Sequence, residues 1–416
     1  MNVCILIGSA DISGGSYVIF EHALYLQSQG WNVILVPLEP VSSAAASWHP
    51  GLAQLKFKTY EEIVGIRFDL AIATWWRTVY ELHRIDAQHY CYFVQSIESW
   101  FYPDEDVAVR NLANSTYLFD LPVITEAKWI KDHLKSRFDV DARIVRNGCN
   151  KAVYAPTGPA IAPPISGKLR ILVEGPIGVD FKNTARTIAL LRRTEADEIW
   201  LLTNSVIDSY PGVARVFSRV PAYYCAQIYR SCDVLVKLSY IEGMFGPPLE
   251  AFHCGGTAVV YDVTGHDEYI VDRKNALVIP TGDESAAAAA VNELKRRPEL
   301  LASLKQGALR TAENWPDWKD VSPQFEQELG ALATGEPHQT RDRIRAVTQE
   351  VFHQYVRVEN ALAAAKRFSV SNLVARLPSI PALGLTRRFS WATNAVTAVR
   401  TRWILEKRRP ASRSKI

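Results

Sequence analysis

The 416-residue sequence predicts an α/β protein: two doubly wound, Rossmann-like domains facing a cleft, with a basic helical extension at the C-terminal end. Three observations predict it. Short apolar strand patterns alternate with amphipathic helical patterns over the first 150 residues, as a parallel sheet covered on both faces requires. The stretch 155–168 (APTGPAIAPPISGK) then interposes four prolines and two glycines, which propagate neither a helix nor a central strand. Beyond it the alternation restarts and runs to about residue 314. At roughly 150 residues per domain, the length accommodates two large units. The expected spans are 1–155 for the first domain, 168–334 for the second and 335–416 for the extension.

The elements follow in order. Residues 3–8 (VCILIG) read as a buried strand, 9–15 as a loop, and 16–29 as an amphipathic helix stopped by Gly30. Further strands are expected at 32–38, 68–73, 90–95, 122–125 and 143–146, with helical stretches such as 129–137 between them. After the linker, strands are expected at 169–174, 199–203, 233–237, 257–261 and 276–279. Helices are expected at 183–193, 222–231, 248–253, 284–296 and 299–314. Ligands of such sheets bind outside the carboxyl ends of the strands. Two such faces across a cleft suit an enzyme that closes on two substrates. A single-substrate enzyme or a binding protein fits the same topology.

Composition narrows the classes. Apolar residues make up 48% and charged residues 22%, which excludes a disordered, collagen-like or coiled-coil chain. The six cysteines are scattered with no CxxC or Cys/His cluster, against a disulfide scaffold or a structural zinc site. A reduced, cytoplasmic protein is expected. Residues 1–8 run straight into a strand pattern, unlike a signal peptide, and no apolar run reaches 18 residues. Net charge is +3, unevenly spread. Residues 361–416 carry twelve Lys and Arg against Glu406, or +11, which leaves the other 360 residues at −8. Trp391, Ala395, Val399 and Trp403 recur at helical spacing there, flanked by Arg400 and Arg402. Such a basic amphipathic helix suits an anionic membrane surface and predicts peripheral attachment at the inner membrane face. A helix packed against the first domain is the alternative. Nucleic acid is not expected as a partner, because the body is acidic and the tail holds no nucleic-acid-binding motif.

The chemistry concentrates in 239–256, SYIEGMFGPPLEAFHCGG. Glu242 and Glu250 have seven residues between them, with a Gly-Met-Phe-Gly-Pro-Pro turn, and Pro248 suits the first turn of a helix. A carboxylate is a strong acceptor for the paired hydroxyls of a ribose or a sugar. The loop amides and the helix N-terminus suit an anion such as a diphosphate. Two surface acids around a structural turn are the plain alternative.

This segment resembles the E-x7-E motif of retaining GT-B glycosyltransferases of the family-4, or group 1, type. Further elements fall in that family's order: Gly14 and Gly15 after the first strand, Asn147-Gly148 ahead of Tyr154-Ala-Pro, and Glu174-Gly-Pro with Phe181-Lys182-Asn183. The stretch 222–234 and then 265–277 continue the series, so the resemblance covers about residues 1–314. It implies a GT-B fold and a nucleotide-sugar donor. Glu250 would hold the donor's ribose hydroxyls, and Glu242 the hydroxyls of the transferred sugar. Lys182 would neutralise the leaving diphosphate; a cation at a helix start calls for an anion beside it. Gly14 and Gly15 would let backbone approach phosphate or acceptor, and Arg219 and Val220 would meet the nucleobase. Gly243, Met244, Phe245 and Gly246 would line the donor.

Three departures stand out. Met244 and Phe245 replace a single Phe, so Gly246 is displaced. Pro176 stands where the family has a phosphate-binding Arg. The usual histidine segment is replaced by 92–103 (YFVQSIESWFYP), which resembles a bacterial rhamnosyltransferase-like subgroup that builds cell-surface glycans. Gln95 and Glu98 in it would hold sugar or acceptor; a structural role for both is the alternative. The resemblance implies retaining transfer on one face of the sugar, with the leaving diphosphate helping to deprotonate the acceptor. The protein positions both substrates and stabilises developing charge. The expected acceptor is a glycan, lipid-linked at the membrane, and no metal or other cofactor is expected. A nucleotide-sugar epimerase or hydrolase on the same fold, or a silent binding module, are the alternatives. Asp104 and Asp106 form a D-x-D, but their place after Pro103 and before a helical run reads as helix capping. His253 reads as a satisfied core histidine on a helix packed into the sheet.

Overall fold

The computed structural model describes residues 1–41 and 48–374. The first domain is built on strands β1 (Asn2–Ile7), β2 (Asn32–Pro37), β3 (Lys56–Phe57), β4 (Phe68–Ala73), β5 (Ala87–Val94), β6 (Val123–Thr125) and β7 (Arg143–Ile144). They form one sheet in the order β3-β2-β1-β4-β5-β6-β7, every pairing parallel. Val3 to Ile7 are buried in succession, because helices cover both faces and no polar alternation is called for. Those helices are α1 (Gly14–Ser28), α2 (Trp76–Val79), α3 (Val107–Ser115) and α4 (Lys128–Phe138). Ser13 starts α1: its Oγ accepts the Ser16 N–H at 3.0 Å.

The second domain repeats the plan. Strands β8 (Arg170–Glu174), β9 (Glu198–Thr203), β10 (Arg215–Ser218), β11 (Val234–Lys237), β12 (Thr257–Tyr261) and β13 (Leu277–Ile279) run in the order β10-β9-β8-β11-β12-β13, all parallel. Helices α5 (Thr184–Leu191), α6 (Ala222–Tyr229), α7 (Gly246–His253), α8 (Glu284–Arg296) and α9 (Pro298–Asn314) flank it. In both sheets the strand order reverses beside the first strand, between β1 and β4 and between β8 and β11. The crevice at such a reversal is where ligands of these folds bind. The expected strands appear within a few residues. The short edge strands β3 and β10 escape a sequence reading, since neither forms a buried apolar run.

The proline-rich linker is laid along α6. Arg230 Nε donates to the Pro159 carbonyl at 2.7 Å, and Arg230 Nη1 donates to the carbonyls of Val153 and Ala155. The chain then crosses back. Helix α10 (Trp318–Thr334), inside the span expected for the second domain, packs on the first. Its Trp318, Val321, Phe325 and Leu329 join the core under α1, and His22 stacks on Phe325 with ring centroids 4.1 Å apart. Helix α11 (Arg341–Val374) follows, with Ile344 and Tyr355 buried and Phe352 against Tyr80 of the first domain. Residues 335–355 of the expected extension are thus docked on the body. The tryptophan stripe at 391–403 lies outside the described residues. Among the described residues, no helix is long and apolar enough to cross a membrane.

Candidate active site

The carboxyl ends of β8 and β11 bring four alternating charges together. Lys237, the last residue of β11, is buried, and its Nζ donates to Glu174 Oε2 at 2.6 Å and to the Glu174 carbonyl at 3.2 Å. On its other side it lies 3.6 Å from Glu242 Oε1. Glu242 Oε2 in turn accepts from Lys182 Nζ at 2.8 Å. Glu242 is only 6% exposed, and burial by itself disfavours its charge; Lys182 and Lys237 outweigh that and hold the carboxyl below its ordinary range. Burial likewise opposes the charge on Lys237, but Glu174 and Glu242 raise its pKa. The backbone makes room for this. Gly175 has φ +142°, a conformation that favours glycine, and a Cβ there would sit 2.6 Å from Thr184 Oγ1. The anion expected beside Lys182 is therefore Glu242.

Glu250 lies on the first turns of α7, with hydroxyls of Tyr229 and Tyr154 bonded to its carboxyl. Burial, then the charge of Glu174, push it up to about 7, against the pull of those hydroxyls and Lys237. A neutral-pH carboxyl facing a cleft is able to accept or share hydroxyl protons. The N-terminus of α7 offers less than its sequence promised. Pro247 and Pro248 have no N–H, and the Leu249 amide is bonded to the Tyr269 hydroxyl, which itself donates to the Phe245 carbonyl. The Met244 amide is also committed, donating to Glu126 Oε1 at 3.1 Å. Two of the expected loop amides, those of Met244 and Leu249, are thus committed inside the protein. Phe245 is fully buried and Met244 nearly so, so their side chains fill the core beneath the loop; Gly246 faces open space.

The first domain closes on this loop. Trp129 Nε1 donates to the Gly243 carbonyl at 2.9 Å. Glu126, buried and pushed up to about 7 chiefly by that burial, binds Met244 and accepts from Asn147 Nδ2 at 2.9 Å. The Gln95 carbonyl stands 2.3 Å from where a Cβ on Gly243 would lie, and the Gln95 side chain meets Gly15. Phe101 stacks on Phe181, next to Lys182, with centroids 4.8 Å apart. At the far side Arg219, with φ +53°, reaches Asp11 at 3.6 Å, and Val220 is half-buried beside it. Gln95 thus stands against both Gly15 at the start of α1 and Gly243 in the loop that bears Glu242.

Glu98 is placed differently. Its Oε2 accepts the Trp76 amide at 2.6 Å and the Tyr92 hydroxyl at 3.1 Å, inside the first domain. Burial lifts it to about 8. It starts α2 from within the core and does not line the crevice. Asp104 is exposed and pairs with Arg110 at 2.7 Å; Asp106 occupies the start of α3 without a side-chain capping bond. Among the described residues, no group of three or more His, Cys, Asp or Glu side chains is arranged to hold a metal ion. His253 is buried and driven down to about 4, chiefly by desolvation, with Nε2 lacking a hydrogen-bond partner. Sequence reasoning missed Lys237, Glu174's role, Glu126 and Trp129. Lys237 had one signal, a charge ending an otherwise apolar strand pattern.

Comparison with known proteins agrees with this architecture. Residues 213–311 match the family model described as glycosyl transferases group 1. Over 101 residues the chain is 32% identical to EpsD of Bacillus subtilis (strain 168), a glycosyltransferase by name; the match spans 24% of this chain and 26% of that protein. Among solved structures, HepE of Anabaena in complex with UDP-glucose superposes with a TM-score of 0.65 at 14% identity, over 80% of this chain and 100% of that one. Sucrose-phosphate synthase of Thermosynechococcus elongatus gives 0.61 at 16% identity, over 80% and 99%. The lipopolysaccharide outer core galactosyltransferase WaaB gives 0.54 at 12%, over the same shares. At these identities the likeness is one of fold. The fold is GT-B, and its segment bearing Lys237, Glu242 and Glu250 is the one that the group 1 glycosyl transferase model matches.

Proposed function

We propose that this protein is a retaining glycosyltransferase that moves a sugar from a nucleotide-sugar donor to a cell-surface glycan acceptor, lipid-linked at the membrane. The observation that carries the reading is the Glu242/Glu250 pair at the carboxyl edge of the second sheet, with Lys182 beside it and the first domain facing it. Glu250 accepts the donor's ribose hydroxyls. Glu242 orients the hydroxyls of the sugar being transferred. Lys182 swings from Glu242 to the diphosphate as its charge grows, and the acceptor enters from the first domain's side. Transfer proceeds on one face of the sugar. The departing phosphate oxygen receives the acceptor hydroxyl's proton, so no carboxylate nucleophile is required. Lysine charge does the work of a metal ion. The basic segment 361–416 holds the enzyme at the inner membrane face, where lipid-linked acceptors are presented.

A donor panel tests the reading. UDP-, GDP- and dTDP-sugars are added to the full-length protein and thermal unfolding is followed. A donor present at 100 times its Kd stabilises by about 2.7 kcal/mol. The expected result is stabilisation by one nucleotide class, with UDP-glucose a first probe because HepE is seen with it. No shift with any sugar nucleotide would remove the donor site. Turnover that frees the sugar equally well without acceptor would make the protein a hydrolase instead.

A further inference from the structure

We propose that Lys237 is a positioning residue that carries the charge of Glu242 when Lys182 turns to the donor's diphosphate. The inference rests on the glycosyl-transfer reading and deepens it. Lys182 bears one charge and has two claimants. Here its Nζ lies 2.8 Å from Glu242 Oε2, and the same group is the cation placed to meet a leaving diphosphate. A second cation on the β8 side is missing, because Pro176 follows Gly175 there. If Lys182 moves away, Glu242 is left as a buried carboxylate, and breaking a buried pair by removing one partner is strongly unfavourable.

Lys237 is built to prevent that. Its side chain is 2% exposed and its Nζ lies 3.6 Å from Glu242 Oε1, on the opposite oxygen from Lys182. Glu174 fixes it from β8 through both its carboxylate and its carbonyl, so the ammonium cannot swing out toward the diphosphate itself. Among the described residues, Lys182 from the turn before α5 and Lys237 from β11 face Glu242, with Glu174 behind Lys237 on β8; Glu250 from α7 couples to Glu174 and Lys237, and the buried Tyr269 hydroxyl feels both Glu242 and Glu250. One lysine is anchored and the half-exposed one is free to exchange partners. Glu242 stays ionised and in place through the exchange.

The test needs no donor, so its failure is distinct from failure of the donor panel. Denaturant unfolding of the full-length protein is measured from pH 5 to about 6.5, below the range in which Glu250, which also feels Lys237, gains most of its charge, for wild type, Lys182→Met, Lys237→Met, the double variant, and the double variant with Glu242→Gln. Each single variant leaves Glu242 one cation, and its pH dependence should parallel wild type. The double variant leaves none. Its folded state then holds a proton on Glu242 that the unfolded chain, with a pKa of about 4.3, releases. Protons bound are greater in the folded state, so stability falls as pH rises, up to about tenfold in the folding constant per pH unit relative to wild type. Glu242→Gln should flatten that slope again. A slope already present in Lys182→Met would show that Lys237 cannot carry Glu242 and would overturn the proposal. So would a full slope in Lys237→Met alone, or a double variant that parallels wild type. A double variant that is unfolded even at pH 5 and is not rescued by Glu242→Gln counts against it equally.

Discussion

Glu242 and Glu250 belong to one short segment, yet their surroundings drive them in opposite directions. Two lysines keep Glu242 ionised, whereas burial and Glu174 lift Glu250 to about 7. The two carboxyls therefore suit different tasks. Glu250→Gln should weaken binding of the nucleoside diphosphate by roughly 10- to 100-fold, the equivalent of one charge-assisted hydrogen bond at about 1.5–3 kcal/mol. Glu242→Gln should leave that binding nearly unchanged and lower turnover. Titration calorimetry with the nucleoside diphosphate separates them, and equal losses in both variants would end the division of roles. As Glu250 gains its charge between about pH 6 and 8, wild-type affinity should rise with pH, and Glu250→Gln should lose that rise.

At the scale of elements, the loop from Glu242 to Gly246 is held by the opposite domain. Gly243 is threaded between the Gln95 carbonyl and Glu126, so a Cβ there strikes backbone that has no room to retreat. Gly243→Ala should force the domains apart at this point and cost turnover on the order of 100-fold, as an ångström-scale misplacement does. Its far-ultraviolet circular dichroism should match wild type. Unchanged turnover would mean that this closure is not part of catalysis. The pairing of α1 with α10 makes a separate statement about stability. His22 is stacked on Phe325 and burial drives it down to about 3. The unfolded chain, with a histidine pKa of about 6.5, binds the proton first. This part of the stability is therefore full above pH 6.5 and is lost as pH falls, by up to about 1.4 kcal/mol per unit. His22→Leu should reduce the acid slope of the unfolding free energy by that amount between pH 6 and 4; an unaltered slope would assign the acid sensitivity elsewhere.

At the scale of the whole molecule, two expectations concern what lies around the crevice. The cations at its rim are side chains of the protein, so turnover should survive EDTA. Loss with EDTA and recovery with manganese would move the chemistry to a metal site. The segment 361–416 carries +11 on a body of −8. Full-length protein should co-sediment with vesicles containing anionic lipid, more weakly as salt rises, while a version ending at Asn360 should stay in the supernatant. Retention of both versions in the supernatant at low salt would assign the tail a structural part only. Helix α11, whose later residues belong to this segment, is docked on the first domain through Ile344, Phe352 and Tyr355.

The sequence by itself determined the elements, their parallel arrangement and the pair of domains, because buried parallel strands are continuous apolar runs and the proline-rich linker breaks them once. It also singled out Glu242 and Glu250, since a fixed spacing along one loop and helix survives folding unchanged, and Lys182 through the resemblance of the segment around it. Only the tertiary structure decided what those groups face. Lys237 and Glu174 lie 63 residues apart and meet because β8 and β11 are neighbours in the sheet. Glu126 reaches Met244 across 118 residues, and nothing in either local pattern announces the other. The same holds where the sequence misled. Glu98 lies within a motif that suits either the crevice or a structural part, and its carboxylate turns inward to an amide and a phenol. The start of α7 has a glycine and a free-looking turn, yet Glu126 and Tyr269 take the amides of Met244 and Leu249. Spacing along the chain fixes which residues travel together, whereas the partner of a buried charge is chosen by whichever strand end or helix packs against it.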